Sequence, residues 1–210
     1  MQILKTTSYY GILLAFIALI CTALSTGIYF LTKNKIDSEI EKQQQQRLTE
    51  VIPQKYYDND LLSSCSDSTI ETIKTENINK ICTAKKNGKI TAYAFETIAP
   101  DGYSGNIRLL IGLSPVGEVL GVRVVEHQET PGLGDKIDLR ISDWILSFTN
   151  KIITPNDQSE WAVKKDGGKF DQFAGATITP RAVVNQVKNS SLAMLKHIQE
   201  KELNRSTLEK

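Results

Sequence analysis

Two short segments depart from ordinary structural patterning and hold the residues whose types and spacing could do chemistry. The first is Glu129-Thr130-Pro131-Gly132-Leu133-Gly134-Asp135-Lys136. One proline and two glycines make a loop whose backbone can take positive φ and come close to a ligand. A tight strand-to-helix connection would use the same residues. The second segment runs from Lys164 to Arg181 (KKDGGKFDQFAGATITPR). At its end Thr179 is placed to cap a helix with Pro180 in the first turn, which points the amides of Arg181 and Ala182 back toward Thr177. A helix N-terminus attracts anions, and Gly175 and Ala176 leave the approach to Thr177 sterically open. The chemistry suggested is a phosphate held beside a threonine hydroxyl, although a plain capped helix satisfies the same residues.

Other chemistries are poorly represented. There is no G-x-x-x-x-G-K-[ST] phosphate loop and no G-x-G-x-x-G turn. Gly102-Tyr103-Ser104-Gly105 lacks the second glycine of a nucleophile elbow at the correct spacing, so Asp101-Gly102 reads as the start of a turn. His127 and His197 have no metal-ligand spacing and read as surface or supporting histidines. Two histidines and three scattered cysteines exclude a zinc ribbon and a dense disulfide scaffold. Lys5 is the one charged residue before Lys33. With it set aside from the 25 basic residues, 24 remain against 24 acidic ones. A formally neutral polar part argues against a nucleic-acid-binding footprint.

The elements that must position these segments follow from periodicity. Gly11–Leu31 (GILLAFIALICTALSTGIYFL) is almost wholly apolar. A helix of that length spans roughly 30 Å, enough to cross a hydrocarbon core and longer than a signal-peptide core. We read residues 10–31 as an uncleaved single-span anchor. Residues 32–52 form a juxtamembrane helix or stalk, because Ile36–Val51 has helix formers and no glycine or proline. Pro53 ends it, and residues 54–80 are expected to be loops and short elements. From Lys89 the pattern has period two, giving strands at Ile90–Ile98, Ile107–Leu113 and Glu118–Val125, the last two joined by a turn at Ser114-Pro115-Val116-Gly117. A helix is expected over Asp138–Phe148, with Ile141, Ile145 and Phe148 along one face, and a longer one over Arg181–Leu203. The fold class is α+β, one domain of about 150 residues with an antiparallel sheet and flanking helices. Two matters stay open on these grounds. The positive-inside count (Lys33, Lys35, Lys42 and Arg47 after the span) favours a cytoplasmic C-terminal domain but weakens for long domains. Cys65 and Cys82 are either a pair or two buried thiols.

Asp171-Gln172-Phe173-Ala174-Gly175-Ala176-Thr177 resembles the flavinylation motif of FMN-binding domains: Asp, two variable residues, Ser or Thr, then Gly, Ala, Thr. Together with the anchor, APDGYSGNI (99–107), ETPGLGDKI (129–137) and WAVKKDGGKFDQF (161–173), the chain resembles the G subunit of Rnf/Rsx ion-translocating electron-transport complexes over nearly its whole length. It resembles the C subunit of sodium-translocating NADH:quinone oxidoreductases less closely.

The resemblance implies FMN attached by a phosphodiester to Thr177, installed by a magnesium-dependent flavin transferase with FAD as donor. Asp171, Gly175 and Ala176 belong to the same motif. By the same likeness Glu129, Thr130, Pro131, Gly132, Leu133 and Gly134 contact the flavin. Lys164 and Lys165 neighbour its phosphate or ribityl chain, or form a solvated basic face. Ala174 stands where the motif has Ser or Thr, so a recognition hydroxyl is missing while the acceptor remains. Thr179 is the neighbouring competitor, and motif position selects Thr177.

The implied organisation is a cytoplasmic N-terminus (1–9), the inner-membrane helix (10–31), the stalk (32–52) and a periplasmic FMN-binding domain (53–205). Its implied partners are iron–sulfur, flavin and membrane subunits, together with the transferase. It would be a redox subunit, not catalytic alone, and in the Rsx version the complex keeps a redox-sensing transcription factor reduced. The competing readings are a component like the C subunit of the sodium-translocating enzyme, or a membrane-tethered sensor domain without flavin.

Overall fold

The structure is a computed structural model. It describes residues 2–67, 76–156 and 158–208, with side chains over 6–67, 76–156 and 158–203. The chain divides into two compact units, Met1–Gln44 and Gln45–Lys210. Helix α1 (Gln2–Val51) supplies the first unit and enters the second. Within the first unit its apolar stretch is long and apolar enough to cross a membrane and is not buried within the protein. Thr22 and Thr32 each donate to a carbonyl four residues earlier (Ala18 and Ile28, 2.8 Å), so neither hydroxyl brings an unpaired donor into an apolar medium.

The second unit is built on an antiparallel meander in which each strand pairs with the next: β1 (Cys65–Asp67), β2 (Ile78–Lys86), β3 (Lys89–Ala99), β4 (Ile107–Leu113), β5 (Glu118–Glu126) and β6 (Lys151–Ile152). Alternation along the strands makes two cores. Tyr93 and Phe95 of β3, with Leu109 and Ile111 of β4, face helix α2 (Ile178–Leu208) and its Val183, Val187, Met194 and Ile198. Ala92 and Ala94 on the other side of β3, with Leu110 and Leu120, face Leu48, Val51 and Ile52 at the end of α1. Near the β4–β5 turn Gly112 pairs with Gly121 but Leu113 pairs with Val119. That bulge lets Val119 and Val122 share one face. The turn itself closes from the Gly117 N–H to the Ser114 carbonyl at 3.0 Å.

Two expectations change. Residues 138–148 do not form one helix. Short 3-10 turns occupy Gly134–Ile137 and Asp143–Phe148, and Ile141 is exposed while Ile145 and Phe148 are buried. Local side-chain bonds compete with a continuous helix here. Asp138 Oδ1 accepts the Arg140 N–H at 2.9 Å, and Ser142, in extended backbone (φ −155°), caps the second turn through the Trp144 N–H. A spacing of three between Ile145 and Phe148 suits a 3-10 turn as well as an α-helix. The stretch expected to be loops contains β1 and the start of β2. The buried residues of β2 include Cys82 and Ala84 among lysines, a weak apolar signal for a strand. Residues 68–75 of that stretch lie outside the described residues. Cys65 and Cys82 face each other across β1 and β2 and form a disulfide.

Candidate flavin-binding site

An aromatic cluster carries the second sequence segment. Phe148 and Phe170 stack with centroids 4.4 Å apart, Trp161 lies 5.3 Å from Phe170, and Trp144 meets Phe173 edge-on at 5.2 Å. Each such pair adds about 0.5–1.5 kcal/mol beyond area burial. The Trp144 indole N–H also donates to the Asp171 carbonyl at 2.8 Å, which fixes the backbone on which the following turn is built. That turn closes from the Ala176 N–H to the Phe173 carbonyl (3.2 Å), with Gly175 at φ +78°. A type II turn places a positive φ at this third position, and glycine takes it without steric cost.

Helix α2 begins at Ile178, so Thr177 takes the position before the first helical residue and Thr179 lies within the first turn. This corrects the expectation that Thr179 caps the helix. The Thr179 side chain instead turns inward, is fully buried, and donates its hydroxyl to Glu129 Oε2. Thr177 is partly exposed, and its hydroxyl makes no hydrogen bond to another of the described residues. Arg181 binds Asp166 through two bonds (2.6 and 2.9 Å), tying the turn at Lys164–Asp166 to the start of α2. That guanidinium holds the Asp166 carboxyl below the usual carboxylate range.

The first sequence segment curls around a single carbonyl. Thr130 O accepts from the N–H groups of Leu133 and Gly134, both at 3.1 Å, and from Asp135 at 3.4 Å. Glu129, only 5% exposed, donates its N–H to His127 Nδ1 (3.2 Å) and accepts the Ser104 N–H at Oε1 (3.0 Å). His127 Nε2 lies 3.8 Å from Asp138, whose carboxyl is held low chiefly by its hydrogen bonds from Arg140.

These segments meet around a cavity of about 280 Å³, lined by Tyr103, Glu129, Thr130, Leu133, Gly134, Gly175, Ala176, Ile178 and Thr179. Of the residues singled out from sequence, Glu129, Thr130, Leu133, Gly134, Gly175 and Ala176 are brought together there. Thr177 stands in sequence between two lining residues, Ala176 and Ile178, and is not itself among the lining residues. Pro131 and Gly132 are exposed at the loop tip and are not among the lining residues. Asp171 and Lys164 form an exposed ion pair (2.5 Å) and are not among the lining residues, and the Lys165 N–H binds the Gln172 side chain at 2.9 Å. Sequence reasoning did not single out Tyr103 or Ile178 as site residues. Both are large, apolar and exposed at the cavity, and Tyr103 lies in the APDGYSGNI stretch that carried part of the resemblance. Among the described residues no cluster of His, Cys, Asp or Glu could hold a metal ion.

The segments that build this cavity fall within a known class: residues 102–191 match the family described as FMN-binding domain. Residues 1–51 match the family described as RnfG N-terminal region. The G subunit of the ion-translocating oxidoreductase complex of Pasteurella multocida is 64% identical over 195 residues, covering 93% of this chain and 96% of the relative. The protein of that name from Haemophilus influenzae is 66% identical over 196 residues (93% of each chain), and that from Vibrio cholerae 49% identical over 190 residues (90% and 91%). The chain belongs to the family of G subunits of ion-translocating oxidoreductase complexes. A crystal structure of Shewanella oneidensis NqrC overlaps 70% of this chain and 73% of that one, with a TM-score of 0.46 and 20% identity.

Proposed function

We propose that this chain is a membrane-anchored flavoprotein subunit of an ion-translocating oxidoreductase complex, carrying FMN through a phosphodiester on the Thr177 hydroxyl. The observation that carries the reading is the contrast between two threonines in one helical turn. Thr179 is buried and its hydroxyl is committed to Glu129, whereas Thr177 is partly exposed at the helix N-terminus, flanked by cavity residues. A phosphodiester there sits where helix amides and the helix dipole favour negative charge.

The residues present suit a flavin. The cavity lies near the lower end of small-molecule sites, about 300–1,000 Å³, which accommodates part of a planar ring system with its tail outside. Tyr103, Leu133 and Ile178 offer apolar faces at its margin, and Gly134 and Gly175 keep the walls thin. When bound, the flavin supplies the electron-transfer chemistry, and the protein supplies binding and orientation. Thr177 tethers, Tyr103, Leu133 and Ile178 exclude water from the ring, and the aromatic cluster holds the tether in place. Lys164 is already paired with Asp171, so its part is in holding the 164–173 segment together.

Attachment would form a Thr177 Oγ–phosphorus bond with FAD as donor and AMP leaving. A separate transferase supplies the activation that an alkanol hydroxyl needs. Ala174 is exposed in its turn, so the missing hydroxyl concerns recognition by that enzyme rather than the fold. We further propose that the domain faces the periplasm, contrary to the positive-inside count, among the other subunits of the complex. The Cys65–Cys82 disulfide supports this side, because disulfides persist in oxidising compartments.

Full-length chain expressed with a flavin transferase should give a band that fluoresces after denaturing electrophoresis, and Thr177→Val should be dark. A dark native band, or a Thr177→Val band as bright as the native one, would overturn the proposal.

A further inference from the structure

Glu129 borders the cavity, and the sequence resemblance makes it a flavin contact. Its carboxylate has other partners. Oε1 accepts the Ser104 N–H and Oε2 accepts the Thr179 hydroxyl, so both oxygens are bound by the protein itself. Those partners sit on different pieces of chain: the 101–105 turn, which carries Tyr103, and the first turn of α2, which carries Ile178. Glu129 begins the third piece, which carries Leu133 and Gly134. All three line the cavity, and one carboxylate joins them.

The backbone is shaped around this group. A Cβ at Gly134 would lie 2.8 Å from both Glu129 Oε2 and Thr179 Oγ1; one at Gly102 would lie 2.9 Å from Glu129 Oε1, although there the Gly105 carbonyl oxygen is nearer still at 2.2 Å. No cation among the described residues forms an ion pair with Glu129. A buried carboxylate with neutral donors alone is costly unless those bonds are well made, and losing either donor leaves an unpaired buried oxygen. A carboxylate kept on such terms, in a cavity wall, has its use in the spacing of that wall.

We propose that Glu129 is a positioning residue: it ties the 101–105 turn and the start of α2 to the 129–134 loop and so sets the width of the flavin cavity, without itself binding the ring. The effect on the flavin rests on the reading above that this cavity holds it; the tie itself does not. Glu129→Met keeps most of the volume but accepts from neither donor, whereas an amide here could still accept from Ser104 and donate to the Thr179 hydroxyl oxygen. Thr179→Val removes one donor, and Thr179→Ser restores it.

The test uses the full-length chain in two forms. In flavin-free protein, amide hydrogen exchange over residues 101–105 should be at least tenfold faster in Glu129→Met and in Thr179→Val, and close to native in Thr179→Ser. In flavin-loaded protein, the visible circular-dichroism band of the flavin should shift in Glu129→Met and Thr179→Val and return in Thr179→Ser. Unchanged exchange in both Glu129→Met and Thr179→Val would overturn the tie. Faster exchange with an unmoved flavin band would overturn the positioning role and leave a structural bond only. A native chain that takes up no flavin would overturn the reading of the cavity and the flavin part of this proposal, while the exchange measurement still decides the tie.

Discussion

Thr177 and Thr179 share one side-chain chemistry two residues apart, and a helix boundary gives them different surroundings. The motif spacing already selected Thr177. The commitment of Thr179 to Glu129 was not legible, because the partners are 50 residues apart in sequence and nothing local joins them. The expected cap at Thr179 failed for a related reason: Pro180 suits several positions in a first turn, so it does not locate the boundary to a single residue. Gly175 is the residue on which presentation of Thr177 depends, since its φ of +78° is strained for any side chain. Gly175→Ala should cost about 1–2 kcal/mol and reduce flavin loading. Thermal melting and in-gel fluorescence of the same preparation check both. His197 on α2 is a second residue with a readable consequence. Burial, aided by Lys201 and opposed by Glu200, lowers its pKa below the usual 6.5. The unfolded chain therefore binds that proton first. The stability concerned is fully present above about pH 6.5 and is lost as pH falls from there to the lowered value. A melting series from pH 7.5 to 5 should show this slope, and His197→Gln should flatten it.

Among the elements, β3, β4, β5 and α2 were legible because each has a strong period and β-branched or large apolar residues on its buried face. The strand Ile78–Lys86 was not, since small residues do much of its burying, and the supposed helix at 138–148 was read from Ile141, Ile145 and Phe148 on one face, of which the step from Ile145 to Phe148 suits a 3-10 turn equally. The end of α1 shows what the strand pattern left unexplained. Gly112 and Gly121 are cross-strand partners in the middle of a sheet, where glycine is ordinarily unfavourable. Val51 occupies the space above them: a Cβ on Gly112 would fall 2.1 Å from the Val51 carbonyl oxygen, and one on Gly121 would fall 3.0 Å from the Val51 Cα. These glycines let the helix backbone rest directly on the sheet, supported by the Glu50–Arg123 ion pair at 2.9 Å. Gly112→Ala should therefore destabilise by about 1–3 kcal/mol through overpacking. Chemical denaturation of the domain checks it, with a lowered midpoint expected.

At the scale of the whole molecule, the neutral composition excluded partners more readily than it identified one, and it hid an anchor inside an average. The anchor was legible from its length, and the domain's cargo from two motifs; the side of the membrane was not, because the basic residues after the span argue one way and the family likeness the other. The disulfide bears on that question. Its cysteines are 17 residues apart, and closing a loop of this size stabilises by about 3 kcal/mol in the chain-entropy account. Reductant should lower the melting temperature of the protein, and alkylation before reduction should modify Cys21 alone.

Covalent FMN on Thr177 is tested by the fragmentation mass spectrum of the tryptic peptide Phe170–Arg181, which contains both threonines, from native protein matured in its own membrane. That peptide is expected to gain the mass of one FMN less one water, with the fragment series placing the gain on Thr177. An unmodified peptide, or the adduct on Thr179, would contradict that attachment.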